Sequence, residues 1–262
     1  KKVEWLLHWS AALVQRPERR SMVAVLCLSP EQGIGKSMYG HILEEIIGPK
    51  NVATIKDKDL RDNDNASFVT KLLVIADEVG VSGKADGSVI SALKTYITDD
   101  SIFCRALYAS PIKAENRMSW WMTSNHTQPL VLEKTDRRFT VLRPTKTSLE
   151  YRKMLEDCFD KAQGKYSQSF SQEIAGFAYA LHKIEVDYNL IAKPIWTEAR
   201  ARLQKLSTPP QEAFAEEVTA QGASYMISHY PPPPEYLRMG GEVAIQGVVP
   251  CLILYGYFRT WA

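Results

Sequence analysis

Residues 21–40 read SMVAVLCLSPEQGIGKSMYG. The apolar run from Met22 to Leu28 leads into a glycine-containing loop that closes on Gly35-Lys36-Ser37, and a helical pattern then continues to Ile47. Strand, loop and helix in that order is how a chain builds a phosphate-binding loop. The N–H groups of such a loop and of the helix N-terminus turn positive partial charge toward a polyphosphate. On this reading Gln32, Gly33, Ile34, Gly35, Lys36 and Ser37 cradle the phosphates. Lys36 reaches the β- and γ-phosphates of a bound ATP, and the Ser37 hydroxyl ligates Mg²⁺. The spacing G-x-x-x-x-G-K-[ST] would place its first glycine at position 30, where this chain has Pro30. Gly33 restores part of the loop's freedom, because glycine accepts positive φ.

Downstream, KLLVIADE (71–78) is a near-continuous apolar run, the pattern of a parallel strand buried on both faces. Its two carboxylates fall at the carboxyl end, where ligands bind in open α/β sheets. Asp77 suits a Mg²⁺ shell, and Glu78 suits orienting and deprotonating an attacking water. SWWMTSN (119–125) reads as another strand, with Trp120 and Trp121 assigned to the core rather than to base stacking. Its terminal Asn125 can hydrogen-bond a γ-phosphate or the lytic water. A further strand begins at Asp136-Arg137-Arg138-Phe139. An arginine aimed at a neighbouring subunit's γ-phosphate stabilises transition-state charge, an effect of about 10³–10⁵ in rate. The bland reading is a surface arginine pair closing a salt bridge, and the sequence does not choose between Arg137 and Arg138.

Residues 80–88 read as a Gly/Ser loop, and a helix follows through Val89, Leu93 and Ile97. IFCRALYASPIKAENR (102–117) alternates about Ser110-Pro111 as a β-hairpin. Basic side chains beside an aromatic suit a phosphodiester backbone, and a solvated hairpin fits the composition equally.

This order of motifs resembles that of superfamily III helicases, AAA+-type ATPases of viruses, phages and mobile elements, and above all phage and plasmid primase-helicases with their virulence-associated-E-like relatives. SPEQGIGKS stands in the place of the Walker A P-loop, LLVIADE of Walker B, and the strand ending at Asn125 of motif C. LKTYITDD and the segment to Arg117 stand in the place of the DNA-contacting hairpin element, and DRRF supplies the finger candidates. The resemblance covers about residues 3–145. It implies an α/β P-loop NTPase fold, with a central, mostly parallel sheet in the AAA+-like arrangement, flanked by helices and followed by a helical C-terminal region. It implies catalytic roles for Lys36, Glu78, Asn125 and Arg137 or Arg138, and DNA contacts by Lys94, Arg105, Tyr108, Lys113 and Arg117. The activity implied is an ATP-dependent helicase motor moving along single-stranded DNA as a hexameric homo-oligomeric ring during replication. A primase domain on a longer chain and the cytoplasm of a bacterial host complete that picture. Two other classes stay open: an ATPase switch or assembly factor without unwinding, and a non-catalytic DNA-binding scaffold.

The 262 residues carry a net charge of +2, so any nucleic-acid site must be local rather than a global basic field. Cys27, Cys104, Cys158 and Cys251 are scattered without a C-x-x-C pair, which supports neither a disulfide framework nor a zinc site. No apolar run is long enough to span a bilayer. The chain begins without methionine and reads as a piece of something longer. Four parts are expected: an N-terminal helix (1–20), the ATPase core (21–146), a helical region (147–230), and a proline-rich spacer leading into the start of a DNA-binding domain (231–262). Helices are expected over 3–16, 148–163, 169–190, 195–206 and 211–228, and in the last stretch with Leu252, Tyr255, Phe258 and Trp261 on one face.

Overall fold

The computed structural model describes residues 1–62, 64–80, 87–160, 165–222, 225, 228–230 and 251–262. Its first elements are α1 (Lys2–Gln15), β1 (Ala24–Leu28), α2 (Met38–Ile47), β2 (Val52–Lys56), α3 (Asp57–Arg61), α4 (Ala66–Val69) and β3 (Leu73–Asp77). Then come α5 (Gly87–Thr98), β4 (Ser101–Cys104), β5 (Ile112–Glu115), β6 (Ser119–Ser124) and β7 (Phe139–Leu142). The chain continues through α6 (Ser148–Leu155), β8 (Phe159–Asp160), β9 (Lys165–Tyr166), α7 (Gln168–Lys183), α8 (Tyr188–Ile191) and α9 (Glu198–Ser207). The last helices are α10 (Pro210–Gln221) and α11 (Cys251–Trp261). Two compact units result, Lys1–Gln204 and Lys205–Ala262.

The first unit is an α/β fold around a five-stranded sheet in the order β2-β3-β6-β1-β7, every neighbouring pair parallel. This is the central parallel sheet flanked by helices that the sequence pattern predicts. Alternation along each strand sends side chains to two separate cores. Leu26, Leu28, Val74, Ala76, Trp120 and Met122 meet Phe68, Leu93 and Ile97 on one face. Val25, Cys27, Leu73, Ile75 and Trp121 meet Trp5, Trp9, Leu43, Leu181 and Ile191 on the other. Such two-sided burial is why β1, β3 and β6 read as unbroken apolar runs. The indoles of α1 are satisfied as well as buried: Trp9 donates to the Val23 carbonyl (2.9 Å) and Trp5 to the Lys193 carbonyl (3.1 Å). Trp120 and Trp121 are core residues, as expected.

Four expected helices have different bounds, and the one expected over 195–206 is α9, Glu198–Ser207. The helix predicted over 148–163 ends at Leu155, and a 3₁₀ turn leads into the short antiparallel pair β8–β9. There Phe159 stands opposite Tyr166 with ring centroids 5.1 Å apart, a cross-strand aromatic pair that favours extended backbone. The run over 169–190 is two helices, because the Asp187 carboxylate accepts the N–H groups of Asn189 and Leu190 and starts α8 afresh. The helix predicted over 211–228 stops at Gln221, where Gly222 takes φ +83°. In the second unit α11 forms as predicted; among its described side chains Tyr257 is buried and packs with Phe214, while Tyr255 is exposed. Most of the 80–88 loop and the whole proline spacer lie outside the described residues.

Gly40 lies where α2 crosses the sheet. A Cβ there would stand 2.9 Å from Cδ1 of Trp121 and 3.2 Å from Cδ1 of Ile75. Gly40→Ala gains about 1 kcal/mol of helix propensity but incurs about 1–3 kcal/mol of overpacking against a buried indole. A lowered thermal unfolding midpoint is expected; an unchanged one would show that Trp121 can move aside.

Candidate functional site

Strands β1, β3 and β6 end side by side at the carboxyl edge of the sheet, and β6 holds the loops that follow the other two. The Ser29 N–H donates to the Ser124 carbonyl (3.2 Å), and the Val79 N–H donates to the Thr123 carbonyl (2.9 Å). The Ser124 hydroxyl donates back to the Val79 carbonyl (2.5 Å). From the core, the Trp121 indole donates to the Lys36 carbonyl (2.9 Å), pinning the far end of the 29–37 loop.

That loop reverses twice. Gly33 and Gly35 both take φ +72°, a region that glycine enters without steric cost. Gly35 also lies beneath Tyr151 of α6, whose ring would be 3.2 Å from a Cβ at that position. Pro30 sits ahead of both reversals, so the departure from the usual spacing leaves each positive-φ position with its glycine.

Three acceptors surround the Lys36 ammonium: the Ser29 carbonyl (3.1 Å), the Glu31 carbonyl (2.7 Å) and Asn125 Oδ1 (2.5 Å). Burial pulls its pKa below the usual lysine range, opposed by the charges of Glu78 and Glu31. Beneath it the Cys27 thiol is pushed up to about 12 by burial and stays protonated at neutral pH. The Ser37 hydroxyl donates to Asp77 Oδ1 (2.7 Å), and the Thr123 hydroxyl donates to the same oxygen (3.0 Å). Glu78 is exposed and holds φ +58°, a left-handed backbone in a residue with a Cβ.

Gln32 to Ser37, Asp77, Glu78 and Asn125 all line one cavity of about 550 Å³. Residues far apart in sequence therefore share a site that holds an ammonium, hydroxyls, two carboxylates and an amide together. Among the described residues no three His, Cys, Asp or Glu side chains form a metal cage. A cation held by Ser37 and Asp77 would take its other ligands from phosphate and water, as magnesium commonly does. The sequence reading missed Met38, His41, Lys56, Thr123, Leu155 and Phe159 in the lining. Thr123 carried a faint signal, a hydroxyl two residues before Asn125 on the same strand.

Arg137 and Arg138 part company. Arg138 pairs with the buried Asp136 (3.5 Å). Arg137 is exposed and lines a separate cavity of about 430 Å³ with Arg19 and Arg20, at the amino ends of β1 and β7. The segment is held by Arg200 of α9, which donates to the Asp136 and Phe139 carbonyls and was not singled out from sequence.

The expected hairpin forms as β4–β5, with Ser101 opposite Glu115 and Cys104 opposite Ile112. Arg105, Tyr108 and Lys113 are exposed on it, Tyr108 fully so at 101%. Lys94 instead pairs with Glu133 (3.1 Å), and Arg117 pairs with Glu115 (2.7 Å).

The sequence model of DUF5906, a family of unknown function, matches residues 28–138, from the end of β1 to the arginine pair. The chain is 22% identical over 230 residues to a DNA primase-polymerase of Nitratiruptor phage NrS-1, a match covering 87% of this chain and 31% of that protein. Apo structures of the NrS-1 C-terminal region superpose with TM-scores of 0.69 and 0.70 at 22% and 23% identity, over 87% of this chain and about half of theirs. At that identity the likeness is one of fold. The chain thus spans about a third of the phage protein and about half of its solved C-terminal region.

The left-handed backbone at position 78 costs about 1–2 kcal/mol in a residue with a side chain. Glu78→Gly should therefore leave the unfolding midpoint unchanged or raise it, even though it removes a charged group from the cavity. A fall in the midpoint would show that the fold needs the carboxylate itself.

Proposed function

We propose that this chain is the ATP-hydrolysing motor segment of a phage DNA replication protein, acting along single-stranded DNA as a helicase. The observation carrying the reading is the single cavity that unites Lys36, Ser37, Asp77, Glu78 and Asn125. A P-loop NTPase needs this set: a cation and backbone N–H groups for the phosphates, a hydroxyl and a carboxylate for Mg²⁺, and a base for water. The similarity to a phage DNA primase-polymerase supports the replication context.

In this reading Lys36 leaves its carbonyl partners for the β- and γ-phosphates, which frees the Asn125 amide to orient the γ-phosphate or the attacking water. Ser37 and Asp77 hold Mg²⁺, which neutralises phosphate charge when bound. Glu78 accepts the proton of the water. Arg137, unlike Arg138, has no ion pair among the described residues and opens away from its own loop, which suits action on a neighbouring copy in a ring. Arg105, Lys113 and Tyr108 on the β4–β5 hairpin supply backbone charge and a stacking surface for DNA.

ATP hydrolysis should be stimulated by single-stranded DNA and fall about 10²–10⁴-fold in Glu78→Gln, with ATP binding retained. Hydrolysis that survives Glu78→Gln would remove Glu78 from the mechanism; none in the wild type under any condition would sink the motor.

DNA binding should weaken with salt and ignore sequence. Replacing Arg105 and Lys113 together by Ala should flatten the log–log salt slope by about 1.4, two phosphate contacts at about 0.7 each. Lys94→Ala should change it much less, since that ammonium is already paired with Glu133 (3.1 Å). An unchanged slope in the double variant would place the DNA path elsewhere.

A further inference from the structure

The lining of the candidate cavity has two characters: polar groups, among them Lys36, Ser37, Asp77, Glu78, Asn125, His41 and Lys56, and the apolar side chains of Met38, Leu155 and Phe159. A polyphosphate accounts for the first and leaves the second unexplained. Phe159 is 43% exposed, so its ring face is open to a ligand in the cavity that it lines.

The hairpin is built to hold that ring still. Phe159 is backed by Tyr166 at 5.1 Å between centroids, and Tyr166 by Phe170 at 5.3 Å. Tyr166 also reaches α2, its hydroxyl 4.0 Å from the Met38 sulfur, so the hairpin lies over the residue that follows Ser37. Tyr151 of α6 covers Gly35 from the same segment. The polar groups for the terminal phosphates end at Ser37. The chain next presents an apolar side chain, with an aromatic ring beside it.

We propose that Phe159 is the base-stacking residue of this site, so that the cavity takes a nucleoside triphosphate in preference to a bare polyphosphate. This rests on the phosphate-loop reading above and adds to it the element that recognises the nucleoside end. A base laid on Phe159 covers the exposed ring and extends the aromatic cluster that Phe159, Tyr166 and Phe170 form by tilted and edge-on contacts. Stacking is tolerant of base identity because every base has a π-face.

Titration calorimetry with Mg²⁺ tests this on the wild type, Phe159→Ala and Phe159→Tyr, using ATP and inorganic tripolyphosphate as ligands. Phe159→Ala should weaken ATP about tenfold or more and leave tripolyphosphate within about twofold, and Phe159→Tyr should restore ATP. Equal loss of both ligands in Phe159→Ala would overturn the proposal, since the hairpin would then only brace the loop. Unchanged ATP affinity would overturn it as well. Wild-type protein that binds tripolyphosphate no more weakly than ATP keeps the phosphate loop and removes the base site. Wild-type protein that binds neither ends the phosphate-loop reading and this inference with it.

Discussion

The structure depends on the burial of β6 between β1 and β3. Trp120 and Trp121 are neighbours in sequence, so the pleat sends one to each core, and both are almost fully buried. Each anchors a different layer. Trp120 packs with Phe68 and with Tyr96 of α5, and Trp121 packs with Tyr39 of α2. Large rigid side chains on both faces fix the strand's register, because a one-residue slip would exchange the two. With register fixed, Thr123, Ser124 and Asn125 arrive at the carboxyl edge at a set height beside Ser29 and Asp77.

The site follows from that placement. Its polar contacts form two groups: Trp121 to the Lys36 carbonyl and Lys36 to Asn125, and Ser37 and Thr123 to Asp77. The partly buried charges of Lys36 and Asp77 both meet partners within hydrogen-bonding distance, as partial burial requires. Lys36 also shows how the loop stores readiness for an anion. Its ammonium is partly desolvated and held by neutral oxygens, so a phosphate would improve on its present partners.

Below 25% identity the fold is still shared with the NrS-1 C-terminal region. The constraint on such a sheet is a pattern of burial rather than particular residues. Any β-branched, leucine or aromatic side chain of suitable volume can occupy a position buried on both faces of a parallel strand. The match to DUF5906 begins at Leu28, at the end of β1, and ends at the arginine pair, so it includes the 29–37 loop, Asp77, Glu78 and Asn125.

Much of this was legible in one dimension. Apolar runs marked β1, β3 and β6, and the carboxylate at the end of β3 and the amide after β6 marked the carboxyl edge of the sheet. These signals are local: periodicity and turn chemistry act over a few residues. Which arginine is paired was not legible, because Asp136 stands beside both and only the direction of the backbone gives it to Arg138. Nor was the end of α6 at Leu155, where a local helical pattern gives way to a cross-strand aromatic contact. Thr123 joins the cavity through the pairing of β6 with β3, and Phe159 through the β8–β9 pair, whose Tyr166 reaches Met38 of α2. The linear chain thus contained the polar residues of the cavity. Their convergence, and the aromatic ring beside them, came from strand order and from the docking of the β8–β9 segment on α2, which rest on contacts between residues remote in sequence.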